Sequence, residues 1–430
     1  MSMLDCLEVD MMTVPMFDSM QSNGILISPH EFSLLDREFT GKMEVLSDEI
    51  NRLAGRTINP GSPEQVEQLL FKEMGLHKYS QIARRTKASG VDGNPERWST
   101  SNEILQSVID KHPIVELIMR WKEYDKLEDS FIRTLPLLAD ADGRVRGNIR
   151  ITRTTTGRPS MSGPNLLAQP TRTDDARKVR RGFVAAPGYK LVDIDLSQIE
   201  MRITAHCSQD PIMMSVFSCN EDIHSQTASS MFRLPIDQLD EMKHRYPAKR
   251  TGFGILNLIS ARGLLRELIA GGATGWYEIM CQKLIDSWFG IYQGVMSWLE
   301  SSKAMARRFG KVEDMWGRVR LVPEVISVHS WIREAGLRQA VNAPIQMGAA
   351  GVIKRIMVEV WRLISELVGL DECRPLLQIY DSLLFEIKNE IAETIGVVIK
   401  GIMENTVKLC IPILAKAEIG ENWGEMERIK

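Results

Sequence analysis

At 430 residues the chain is too long for one ordinary domain, and its 44% apolar content leaves ample material to bury the cores of two or three. The 53 Lys and Arg against 56 Asp and Glu leave a net charge of −3, which excludes a globally basic nucleic-acid binder; an anion site must rest on locally clustered charge. The six cysteines (Cys6, Cys207, Cys219, Cys281, Cys373, Cys410) lack C-x-x-C spacing, the N-terminus is acidic where a secretory leader is basic, and no run of about 18 apolar residues occurs, so a reduced, cytoplasmic protein with no membrane partner is expected.

Residues 1 to 34 read as a short mixed segment closed by the turn signal Ser22-Asn23-Gly24 and the apolar Ile25-Leu26-Ile27. From Pro29 the spacing of Phe32, Leu35, Phe39, Met43, Leu46 and Ile50 predicts a long amphipathic helix. Ser62-Pro63-Glu64 supplies an N-cap and a first-turn proline for the next one. Between Lys78 and Trp98, Arg84, Arg85 and Lys87 lie among Ser, Gly, Asn and Pro, the composition of a mobile basic loop. Helical stretches at about 101 to 111 and 113 to 134 complete an antiparallel set.

The stretch GRVRGNIRITRTTTGR (143 to 158) alternates like strands and carries Arg144, Arg146, Arg150, Arg153 and Arg158. Guanidiniums so close repel one another unless an anion is present, which makes a phosphate backbone the expected partner. A loop rich in Gly and Pro follows, TGRPSMSGPNLLAQPTR, containing Asn165. Then KLVDIDLSQIEMRITAHCSQD (190 to 210) places Leu191, Val192 and Ile194 in a short buried strand that delivers Asp195 to its end, with Gln198 and Glu200 just beyond. Asp222-Ile223-His224 opens a helix. Arg245, Lys249, Phe253 and Asn257 recur every four residues, one face of a helix beginning near Pro247. After an aromatic-rich helical region, GKVEDMWGRVRLVP (310 to 323) reads as a hairpin. In LRQAVNAPIQMGAAGVIKR (337 to 355), Arg338, Asn342 and Gln346 form one polar stripe on an apolar helix, suited to the minor groove, where acceptors are alike for all base pairs. Finally LLQIYDSLLFEI (376 to 387) predicts a buried hairpin whose turn presents Asp381, a carboxylate that needs a cation or strong donors.

D-x-S-Q-I-E-x-R at 195 to 202, R-x-x-x-K-x-x-x-F-G at 245 to 254 and the helix at 337 to 355 resemble, in order, the motifs of family A DNA polymerases, the DNA polymerase I type. The resemblance covers roughly residues 11 to 430. It implies an α/β right-hand polymerase fold with an antiparallel palm sheet and helical thumb and fingers: 1 to 34 an N-terminal palm segment, 35 to 130 thumb, 131 to 208 palm, 209 to 336 fingers, 337 to 430 palm. It also implies two Mg2+ ions on Asp195 and Asp381, and a triphosphate held by Arg245 and Lys249 with Phe253 under base and sugar. By the same resemblance His224 lies near the phosphates, Gln198 and Arg158 belong to the nucleotide site, and Glu200 occupies the place of a ribose 2′-hydroxyl. Asn165, Asn257, Arg338, Asn342, Gln346 and the basic loop are implied to contact DNA.

The implied partners are primer-template DNA and deoxynucleoside triphosphates. Relatives usually carry a 3′-5′ exonuclease upstream, for which residues 1 to 34 leave no room; a separate exonuclease or other replication proteins are candidate partners. A compact chain of this kind suits a phage enzyme of replication or repair in a bacterial host cytoplasm. Departures from the pattern are Leu167-Ala168, Asn257-Leu258, Met347, Gly351, Tyr380 and Ser382. They leave as the alternative a catalytically silent protein that binds primer-template as an accessory in replication or repair; a second rival, an RNA polymerase or primase of related fold, is disfavoured by Glu200.

Overall fold

Alternation along the 189–196 segment decides where the molecule's centre lies. In the computed structural model, which describes residues 3–86, 97–170 and 173–429, Val192, Ile194 and Leu196 face one apolar core and Leu191 the other, all at most 1% exposed. Side chains that alternate between two buried faces make the segment a central strand.

In chain order, helices α1 (Met3–Met12), α2 (Val14–Asn23), α3 (Pro29–Ala54) and α4 (Pro113–Leu127) precede strand β1 (Tyr189–Leu196). Helices α5 (Ile199–Ser208), α6 (Ile223–Phe232), α7 (Tyr246–Ile255) and α8 (Ser330–Arg362) follow. The chain closes with strands β2 (Cys373–Ile379) and β3 (Ser382–Lys388), helix α9 (Ala392–Asn405), and strands β4 (Ala415–Gly420) and β5 (Glu427–Arg428). The five strands form one antiparallel sheet ordered β2-β3-β1-β4-β5.

Helix α3 follows the predicted periodicity: Phe32, Leu35, Phe39, Leu46 and Ile50 are buried, Ser28 caps it by accepting from the Glu31 amide, and Gly55 at φ 69° ends it. It packs along α4, and its Phe32, Leu35, Phe39 and Leu46 share one core with Leu191, Leu376, Leu377 and Leu384 of the sheet. Residues 3–23, expected as a mixed segment, are two helices instead. Asn23 donates to the Pro375 carbonyl at 2.9 Å, tying α2 to β2. Asp10 on α1 accepts from Lys354 at 2.8 Å and Arg318 at 2.7 Å, pairing a lysine that is 1% exposed.

The arginine-rich stretch is corrected in part. Arg144 pairs with the fully buried Glu386 at 2.6 Å, and Arg146 with Asp140 and Asp142 at 2.7 and 2.6 Å. With Arg158, which bonds to Glu200, three of the five guanidiniums are therefore paired with the protein's own carboxylates. Gly351, a departure from the family pattern, has a packing cause: the Trp316 indole lies 2.3 Å from where a Cβ would stand, so any side chain there forces a shift. Among the described residues no helix is long and apolar enough to cross a membrane.

Candidate active site

Asp195 occupies the last position of β1 that points away from the larger apolar core. Hairpin β2–β3 turns through Tyr380-Asp381, and its first residue after the turn, Ser382, lies opposite Asp195 in register. The Leu196 amide donates to the Asp381 carbonyl at 3.2 Å, which fastens the turn to the end of β1. Two acids far apart in sequence thus meet at one end of the sheet. Tyr380 holds φ 56°, a conformation that costs a non-glycine residue energy and persists only where the surroundings enforce it.

Both carboxyls sit well above the usual carboxylate range. For Asp195 the surrounding protein is the first cause and Asp381 the second, although its side chain is open to solvent; for Asp381 burial comes first and Glu200 next. Lys416, opposite Asp195 on β4, offsets only part of this. Two anions so placed call for a cation. Among the described residues no group of three or more Asp, Glu, His or Cys is arranged to hold a metal ion. A two-carboxylate set open to water fits magnesium, which keeps several waters and binds through one or two carboxylates together with substrate phosphates.

Beside the pair, Arg158 bonds to the Glu200 carboxylate, and its guanidinium lies over the Tyr380 ring at 5.6 Å. Tyr380, 59% exposed, thus provides a platform for Arg158 where the family carries a histidine. Thr154 donates to the Arg158 carbonyl at 2.5 Å, and Gly157 (φ 74°) tucks beneath Arg318, so the loop is held from both sides. Gln198 stands at the N-terminus of α5 with φ 56°, half-buried.

Helix α7 begins at Tyr246, directly after a π turn at Glu241–Arg245, and ends at Ile255. Lys249 and Phe253 lie four residues apart on α7, and Arg245 stands at the end of the π turn that leads into it. Asn257 lies beyond the helix end, exposed, before Leu258 at φ 48°. Two glycines near the C-terminus of α7 weaken it, which is why the helix stops a turn short of the expected stripe. Arg245 is engaged by Asp222 at 3.0 Å and Glu241 at 3.2 Å. Although burial works against it, bonds from Ser225 and Arg245 hold the Asp222 carboxyl down at about 2. Lys249 makes no ion pair among the described residues. His224 is 4% exposed, its ring 5.3 Å from Phe253, and burial pushes its imidazole down to about 4. A neutral buried imidazole supports the Phe253 ring and brings no charge to a phosphate.

The polar stripe of α8 is present: Arg338 is exposed, Asn342 and Gln346 are half-buried, and their neighbours are buried. Asn342 donates to the Asn257 Oδ1 at 2.5 Å, so the asparagine that departs from the family pattern belongs to this stripe by contact. Asn165 is exposed on its loop, its Oδ1 accepting from the Leu167 amide at 3.2 Å. Arg84 and Arg85 are exposed at the root of a short ladder in which Arg85 pairs with Trp98; Lys87 lies outside the described residues.

Three residues near the pair escaped sequence reasoning: Asp193, Lys416 and Trp423. Asp193 was findable, because two positions before Asp195 on a strand is the same face. Lys416 and Trp423 come from β4 and the chain beyond it, which only the folded register brings alongside β1.

The family model for DNA polymerase family A matches residues 30–425. The chain belongs to DNA polymerase family A. It is 36% identical over 405 residues to the thermostable DNA polymerase I of Thermus aquaticus, covering 94% of this chain and 46% of that protein. To the DNA polymerase I of Rhizobium leguminosarum it is 36% identical over 420 residues, 96% of this chain and 39% of the relative. The chain therefore spans less than half the length of these curated relatives. Among solved structures it is similar to the POL domain of Pol1 from M. smegmatis in complex with DNA primer-template and dNTP, at a TM-score of 0.84 and 29% identity. That match covers 96% of this chain and 70% of the other. The α/β right-hand fold of this chain, with its antiparallel sheet, is the one expected from the motifs.

Proposed function

We propose that this chain is a template-directed DNA polymerase that adds deoxynucleotides to a primer 3′ end. The observation that carries the reading is the meeting of Asp195 and Asp381 at the end of the sheet, in a chain of this family. The sheet with residues 1 to 34, 131 to 208 and 337 to 430 serves as palm, 35 to 130 as thumb and 209 to 336 as fingers. Helices α3 and α8 run through the boundaries at 34 and 336, so palm passes into thumb and fingers into palm along continuous helices.

Asp195 and Asp381 would hold Mg2+, and two such ions, when bound, activate the primer hydroxyl and neutralise the leaving pyrophosphate. The chain's own residues do the rest. Lys249, without an ion pair among the described residues, and Arg245, on exchanging Asp222 for phosphate, hold the triphosphate. Phe253, backed by His224, carries base and sugar. Arg158 and Glu200, already paired, border the sugar, while Asn165, Arg84, Arg85 and the Arg338, Asn342, Gln346 and Asn257 surface follow the DNA.

Glu200 gives a direct test. In the proposed pose its carboxylate fills the space of a 2′-hydroxyl, so Glu200→Ala is expected to raise ribonucleotide incorporation relative to deoxynucleotide by on the order of 10- to 100-fold. Primer extension with both nucleotide sets and magnesium measures this. Unchanged sugar discrimination removes Glu200 from the role; no extension by wild type despite tight primer-template binding favours the silent accessory.

A further inference from the structure

Asp193 belongs to no motif, yet it stands on the same face of β1 as Asp195, one side-chain position back from the strand end. Both of its oxygens are occupied. Oδ1 accepts from the Ser382 hydroxyl at 2.6 Å and Oδ2 from the Trp423 indole at 2.9 Å. Ser382 is the residue directly after Asp381 and lies opposite Asp195 in register, so the first bond crosses diagonally from β1 to the root of the turn. The second reaches the chain after β4. There the Arg180 guanidinium stacks on Trp423 at 4.4 Å, and the Trp423 amide donates to the Phe183 carbonyl at 2.9 Å. Asp193 is thus the node at which β1, the hairpin and the C-terminal segment are joined, behind the two carboxylates of the site. Ser382, which replaces an acid of the family pattern, turns its hydroxyl to this node.

We propose that Asp193 is a positioning residue for the polymerase reaction, holding the Tyr380-Asp381 turn at the spacing from Asp195 that the site requires through its hydrogen bonds to Ser382 and Trp423. The inference rests on the proposed polymerase reading. Within the hairpin the Gln378 amide donates to the Tyr380 carbonyl at 2.5 Å, and Arg158 lies over the Tyr380 ring, but toward β1 the turn itself is joined by one backbone bond, Leu196 to Asp381, with Tyr380 largely exposed and strained. Loss of a side chain that orients a metal-binding carboxylate commonly costs about 10- to 100-fold in metal affinity or activity.

The Asn variant separates hydrogen bonding from charge. Asparagine at 193 can still accept from Trp423 through its oxygen and donate to the Ser382 hydroxyl through its nitrogen, so both links survive without the negative charge. Asp193→Ala loses both, and Ser382→Ala cuts the link to the turn while leaving Asp193 and Trp423 joined. The measurements are kcat and KM for a single nucleotide addition, the half-saturating magnesium concentration, and Mn2+ binding to the DNA-free protein by calorimetry. Asp193→Ala and Ser382→Ala are expected to lower kcat and weaken Mn2+ binding by about 10- to 100-fold, with nucleotide KM and primer-template affinity unchanged, while Asp193→Asn stays within about threefold of wild type. If Asp193→Asn falls as far as Asp193→Ala, charge and not positioning is at work. Wild-type behaviour of Ser382→Ala overturns the proposal outright, and that smaller change decides the matter should Asp193→Ala fail to fold. Weakened Mn2+ binding in both alanine variants of a protein that extends no primer would leave this inference standing and remove the polymerase reading.

Discussion

Asp195→Asn and Asp381→Asn are each expected to lower single-nucleotide incorporation by on the order of 10³-fold or more, about 4 kcal/mol of transition-state stabilisation, with primer-template affinity close to wild type. Asparagine keeps the size and most of the hydrogen bonding of aspartate but removes the charge. Both carboxyls are held above the usual carboxylate range, Asp381 by burial and Asp195 by the surrounding protein and its neighbour Asp381, an arrangement that costs stability unless a cation is used there. Removing one charge relieves the folded protein, so neither variant should lose thermal stability, and Asp195→Asn is expected to gain a little. Binding of primer-template rests on basic side chains elsewhere and should hardly move. Filter binding or fluorescence anisotropy alongside single-turnover extension measures both quantities. Activity near wild type in either variant would remove that residue from the site.

Lys249→Ala is expected to lower kcat/KM for the nucleotide by on the order of 10²- to 10³-fold, and Arg245→Ala by clearly less. The asymmetry comes from what each cation does before substrate arrives. Arg245 already holds Asp222 and Glu241, so it gains the triphosphate only by giving up two ion pairs. Lys249 has no ion-pair partner among the described residues and surrenders none. Its neighbour His224 is kept neutral by burial, so it adds no charge beside Lys249. Varying deoxynucleotide concentration in single-turnover extension separates the two, and a larger loss in Arg245→Ala than in Lys249→Ala contradicts the assignment.

Much of this site was legible in the chain before any coordinates. The strand under Asp195, the hairpin presenting Asp381 and the stripe on α8 all follow from local periodicity, because each element's buried face is written in consecutive residues. What stayed hidden depends on partners distant in sequence. Arg144 reads as a phosphate ligand until Glu386 is found beneath it, 242 positions away. Asn257 reads as the next member of a helical stripe, yet the helix ends first and the side chain meets Asn342 instead. Residues 3–23 carry too little periodicity to announce two helices, whose stability comes from packing on β2 and α8.

The most direct test of the central claim is template-directed extension by the purified chain. A labelled primer annealed to four templates differing only in the first unpaired base is offered each deoxynucleotide separately, with magnesium. The account predicts one added nucleotide in each case where the nucleotide complements the template base, strong preference for deoxy over ribo forms, and no addition by Asp195→Asn. Stable binding of the primer-template without addition of any nucleotide, or addition that ignores the template base, would contradict it.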